Sequence, residues 1–213
     1  MKKHIILFAT ALFFTLTAFA QTTSYEAAMG QNLEALGKAK TVEEYQQVAN
    51  LFERIAGTEQ KQWLPLYYAS LSYINMCNHE KGNDKKDAYL DKAQDYLQKA
   101  LKLEPNESEL HALQGLLHMV RIQVSPMARG MKYSGMATAA LEKAKSINPD
   151  NPRVHYLMGS NLFHTPSMFG GGPAAAKPYF EQAKTKYETQ KQANSFAPSW
   201  GKAQNDSMLA RCN

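Results

Sequence analysis

Apolar residues recur three and four apart through most of the chain after residue 24, and no stretch alternates in the manner of a half-buried strand. The pattern predicts an all-α protein. A first helix is expected over 25–36, ending near Gly37. Thr41 followed by Glu44 reads as a capping box, in which the hydroxyl and the carboxylate satisfy two of the free amides at a helix start. The stripe Tyr45, Val48, Phe52 and Ile55 follows, with Gly57 as the stop. Further helices are expected over 63–77, 88–103, 109–124, 136–147 and 153–163. An eighth begins at Pro173, a residue suited to the first helical position, and is kinked or restarted at Pro178. A last helix starts at Pro198-Ser199-Trp200 and carries Met208 and Leu209. The charged stretch 78–86, the segment 127–135 and the glycine-rich segment around 170–172 read as loops.

The helices repeat. Ala93, Leu97, Ala100 and Pro105 return as Ala137, Leu141, Ala144 and Pro149, 44 positions on, and His111 and Gly115 return as His155 and Gly159. Ala176, Phe180 and Ala183 are a partial third copy, 39 positions after the second. A period of this size marks a stacked array of helix pairs. Alanine and glycine let two helices approach closely, and the larger residue between them fills the groove.

The N-terminus changes where this array is expected to work. Lys2 and Lys3, an apolar run from Ile5 to Phe14, and Ala18-Phe19-Ala20 form a secretory leader with its cleavage site. Residues 1–20 are thus expected to be removed, leaving 21–213 as a single domain outside the cytoplasm, periplasmic or extracellular. No cysteine lies near the cut to take a lipid anchor. Cleavage lowers the formal charge from +5 to +3, with lysines and acids interspersed. So mixed a surface argues against a nucleic-acid partner. Cys77 and Cys212 are either a bridge permitted by an oxidising compartment or two separate thiols.

The residues of the echo resemble the tetratricopeptide repeat (TPR) family, whose second helix carries alanine, a large residue and alanine before a proline turn, and whose first helix carries a small residue where Ser70, Gly115 and Gly159 stand here. The resemblance implies four helix pairs, near 25–57, 63–105, 108–149 and 152–187, with a capping helix over 198–213. These units exceed the family's usual 34 residues, with the excess at 78–87, 125–135 and 165–172, on one edge of the array. It also implies that the first helices line an inner surface. Tyr67, Leu71, Ile74, Leu116, Met119, Tyr156 and Phe163 fall there as candidate partner-binding residues, beside Ala112 and Ser160. Such an apolar strip suits an extended peptide or an amphipathic helix.

Other candidates are thin. His111, His118, His155 and His164 lack the four-residue spacing of a helical zinc pair, and no cysteine or carboxylate recurs with them. Gly170-Gly171-Gly172 is a tight turn or, less simply, an anion-binding loop, although no lysine with serine or threonine follows. Arg121, Arg129 and Lys132 are a solvated face or a docking edge for an acidic partner. No catalytic constellation, metal site or cofactor site is expected. The expected role is an exported, non-enzymatic scaffold for a protein or peptide. Two alternatives stand beside it: a subunit of an envelope assembly, and a small-molecule carrier with a pocket between groove and cap.

Overall fold

The computed structural model describes residues 24–212; the expected leader lies outside them. The described residues are all-α. Helix α1 covers 24–38, followed by α2 (Val42–Thr58), α3 (Trp63–His79), α4 (Asn83–Leu103), α5 (Ser108–Val124), α6 (Pro126–Ile147), α7 (Pro152–His164), α8 (Pro173–Thr189) and α9 (Lys202–Ala210). The helices pack chiefly within the pairs α3–α4, α5–α6 and α7–α8 and between α2 and α3, and α5 also touches both α3 and α7 in an inner layer. The capping box forms as expected: the Glu44 amide donates to Thr41 Oγ1 at 3.2 Å, and the Thr41 amide donates to Glu44 Oε2 at 3.1 Å.

The echo is a packing rule. A methyl placed on Gly115 would sit 2.7 Å from Leu141 Cγ, and one on Gly159 would sit 2.8 Å from Phe180 Cε1. The small residue on each first helix therefore admits the large residue of its partner. At Ser70 the same approach is used differently, with the hydroxyl donating to the Ala93 carbonyl at 2.8 Å.

The joints repeat as well. His111 Nε2 donates to the Pro105 carbonyl and His155 Nε2 to the Pro149 carbonyl, each at 2.8 Å. The repeated histidines thus fasten the start of one first helix to the turn that precedes it.

Two expected loops are helical instead. Only 80–82 separate α3 from α4, and α6 starts at Pro126 rather than 136. Long-range ion pairs account for the added turns. Arg129 holds both carboxylate oxygens of Asp87 at 2.6 and 2.7 Å, and Arg121 reaches Asp91 at 2.7 Å. Pro126 supplies a preset first position for α6, while Gly130 and Gly135 face open space. Helix α8 runs unbroken through Pro178, which lies on its exposed side near the start. The last helix begins at Lys202 instead of Pro198, because Gly201 adopts a left-handed φ of 105°. Cys77 and Cys212 are separate thiols. No helix among the described residues is long and apolar enough to cross a membrane.

Candidate ligand cavity

Between the inner helices and the segment 194–201 lies a cavity of about 700 Å³. Leu33 and Leu36 of α1 and Tyr45 of α2 form one side. Tyr68, Leu71 and Ile74 of α3, Leu116 of α5 and Tyr156 of α7 form its floor. Ala197 and Trp200 close the remaining end. Polar groups are interspersed: Glu34, Asn75, Asn78, Ser195, Ser199 and Gln204, with no lysine, arginine or histidine among the described lining residues. Its size falls in the range of a small-molecule pocket, and its aromatic and aliphatic walls are interspersed with polar groups.

The closing segment, here called the strap, is held by polar latches. Trp200 Nε1 donates to the Tyr67 hydroxyl at 2.8 Å, and the Trp200 carbonyl accepts from Arg153 Nη1 at 3.3 Å and from the Tyr187 hydroxyl at 3.2 Å. The Tyr68 hydroxyl donates to the Phe196 carbonyl at 2.7 Å, and the Tyr25 ring meets Phe196 edge-on at 6.0 Å. A side chain at Gly201 would collide with the Tyr187 hydroxyl, so this position needs glycine for space as well as for its φ.

Behind the strap, Arg153 Nε and Nη2 donate to both oxygens of Glu109 at 2.7 and 2.6 Å. Burial raises the Glu109 carboxyl above its ordinary range, and the guanidinium pulls it back down. Burial likewise works against the Arg153 charge, yet the bonds to Glu109 raise its pKa overall. The two-point geometry favours the charged pair. Burial pushes the Tyr67, Tyr68, Tyr156 and Tyr187 phenols up, so the hydroxyls of the latch keep their protons.

Of the seven candidate residues read from the sequence, Leu71, Ile74, Leu116 and Tyr156 line the cavity. Tyr67 is fully buried beneath Trp200 rather than lining it. Half-buried Met119 packs against the α6–α7 core cluster, and half-buried Phe163 lies between Phe180 and the Arg211 guanidinium. Sequence reasoning missed Leu33, Leu36, Tyr45, Tyr68, Asn75, Asn78 and the strap. Asn75 and Asn78 carried a readable signal: two amides three apart on the face of Leu71 and Ile74, in an otherwise apolar helix.

The other candidates are accounted for locally. The amides of Gly170, Gly171 and Gly172 donate to the carbonyls of Ser167, Pro166 and Leu162 at 2.9, 3.3 and 2.9 Å, which is the bonding of a tight turn. Burial lowers His118 to about 4, and Arg121 adds to the shift. Among the described residues, no group of three or more His, Cys, Asp or Glu is placed to hold a metal ion.

Residues 18–195 match the family model described as Regulator of microtubule dynamics protein 1-3. Among solved structures, the chain is similar to the HusA haemophore from Porphyromonas gingivalis, with 30% identity, a TM-score of 0.81, and coverage of 90% of this chain and 94% of that one. A thermophilic TPR protein of Thermus thermophilus aligns at 15% identity with a TM-score of 0.63, covering 88% of this chain and 80% of that one, which speaks to the shared fold. No curated protein matches significantly. The fold is that of a TPR-like helical array, and by the extent of the family match the chain belongs to the Regulator of microtubule dynamics protein 1-3 family.

Proposed function

We propose that this protein is an exported, non-catalytic carrier that takes a flat, largely apolar ligand of the haem class into the cavity between its inner helices and the strap. One observation carries the reading: a pocket of about 700 Å³ walled by Tyr45, Tyr68, Tyr156 and Trp200 together with leucines and an isoleucine. Aromatic and aliphatic walls suit the face of a macrocycle. The described lining has no cationic side chain and one acid, Glu34, so carboxylates on the cargo would point to the solvent, away from Glu34 and toward the amides of Asn75, Asn78 and Gln204. The similarity to a protein described as a haemophore supports this class of cargo.

A second reading keeps the inner face for a peptide. Leu116, Met119, Tyr156 and Phe163 are all half-buried on successive first helices, which favours it, while Trp200 takes the Tyr67 end. Titration of the mature protein with haemin separates the two. The carrier reading expects saturable binding that weakens at least tenfold in Leu116→Asp, with an unchanged helical signal. Haemin binding that ignores Leu116→Asp would remove the cavity from consideration as its site.

A further inference from the structure

We propose that the edge carrying Met127, Met131, Met168 and Phe169 docks the protein reversibly on an anionic lipid surface. These are the most exposed large apolar side chains among the described residues, at 101%, 89%, 82% and 67%. All four lie on one edge of the array. Met127 and Met131 are four apart on the first turns of α6, and Met168 and Phe169 stand on the short 3-10 turn Ser167–Phe169 after α7. The Asn161 amide of α7 donates to Thr138 Oγ1 of α6 at 3.0 Å, and the Arg129–Asp87 pair ties the start of α6 to the start of α4.

The shape and the charge of this edge favour a bilayer. Its apolar side chains are exposed on the first turns of α6 and on the 3-10 turn after α7, and the cavity described above does not reach them. A protein partner would have to supply a matching hollow for each tip. A bilayer interface admits protruding side chains without such a match.

The acids of the edge are largely engaged. Asp87 is held by Arg129 and Arg121, Asp91 by Arg121, and Glu80 by the amides of Lys81 and Gly82. Among the described residues, Lys81, Lys86 and Lys132 have no acid partner within ion-pair distance. Lysines on the same edge as apolar tips are the combination that an anionic headgroup layer attracts. With few tips and few charges the attachment is transient, as a single weak anchor is.

The inference does not depend on what the cavity holds. The test is flotation of the mature protein with vesicles of phosphatidylcholine alone and of phosphatidylcholine mixed with phosphatidylglycerol. Binding is expected to the mixed vesicles only. It should weaken at least tenfold in Met127→Ser/Met131→Ser/Met168→Ser/Phe169→Ser. In Lys81→Gln/Lys86→Gln/Lys132→Gln the loss should be roughly fivefold for each charge removed. Both variants should keep the parent melting curve and haemin affinity, since neither set lines the cavity. No flotation with mixed vesicles, equal flotation with neutral ones, or either variant floating like the parent would overturn the proposal. So would a dimer in sedimentation that the serine variant abolishes.

Discussion

At the joint after α4 and the joint after α6 the same bonds occur at matched positions, a histidine to a proline carbonyl in each. The strap has no counterpart elsewhere among the described residues. Apolar contact and small residues hold the array, and the glycines facing Leu141 and Phe180 leave no room to spare. The strap is tied at its Trp200 end by one indole N–H, one guanidinium and the Tyr67 and Tyr187 hydroxyls. A packed layer resists any change in volume, whereas a latched one depends on a few groups and their geometry.

The largest test of this contrast is Arg153→Met. Arg153 and Glu109 side chains are 1% and 12% exposed, so the change strands a buried carboxylate and removes one of the two donors to the Trp200 carbonyl. A loss of about 3–5 kcal/mol is expected in denaturant unfolding. A loss near zero would mean that the pair supports neither joint nor strap.

Gly159→Ala and Gly201→Ala come next, each at about 1–3 kcal/mol, through overpacking against Phe180 in the first and a forced left-handed backbone in the second. They should part in a ligand titration. Gly201→Ala disturbs the cavity wall and weakens haemin binding more than Gly159→Ala does at matched stability. Equal effects would erase the distinction between strap and array.

Acid provides a third comparison. Burial depresses His118 to about 4 in the folded protein, so between its ordinary value near 6.5 and about 4 the unfolded chain takes up the proton first. Its contribution is present above about pH 6.5 and is lost as pH falls toward 4, on the order of 2 kcal/mol. His118→Gln should flatten that part of the stability profile. The phenols of the strap stay protonated throughout, so a tryptophan signal assigned to Trp200 should change with global unfolding and not before it.

The smallest effect is Gly130→Ala. Nothing lies within 4 Å of the added methyl, and a gain of about 0.5–1 kcal/mol is expected in thermal unfolding, opposite in sign to Gly159→Ala. A loss there would show that the start of α6 is less regular than its hydrogen bonding implies.

What the sequence made legible follows the same division. Ala93, Leu97 and Ala100 with their copies encode packing through spacing, and spacing is visible along the chain. Leu71, Ile74, Leu116 and Tyr156 could be assigned to the inner face for the same reason, since the register of the repeat carries over from helix to helix. Trp200 could not. Its position depends on the left-handed Gly201 and on Arg153 and Tyr187, 47 and 13 residues away, and local composition there reads as a helix start. The segments 78–86 and 127–135 misread as loops for a related reason. Gly82 does break the chain, as the cap before α4, but Asn83-Asp84 and the glycines of α6 are poor helix formers that lie in helices tied together by an ion pair spanning 42 residues.

Glu109 and Arg153 occupy the same position in successive units, 44 residues apart, and they are partners of each other. Neither of these two units can therefore be copied alone without a mismatch. Duplicating the stretch that contains Glu109 would set two glutamates against one another at the new junction, and duplicating the one with Arg153 would do the same with two guanidiniums. Arrays made of interchangeable modules can grow or shrink by recombination; this one has complementary ends at the α5–α7 junction, and copying either of those two units alone would bury an unmatched charge.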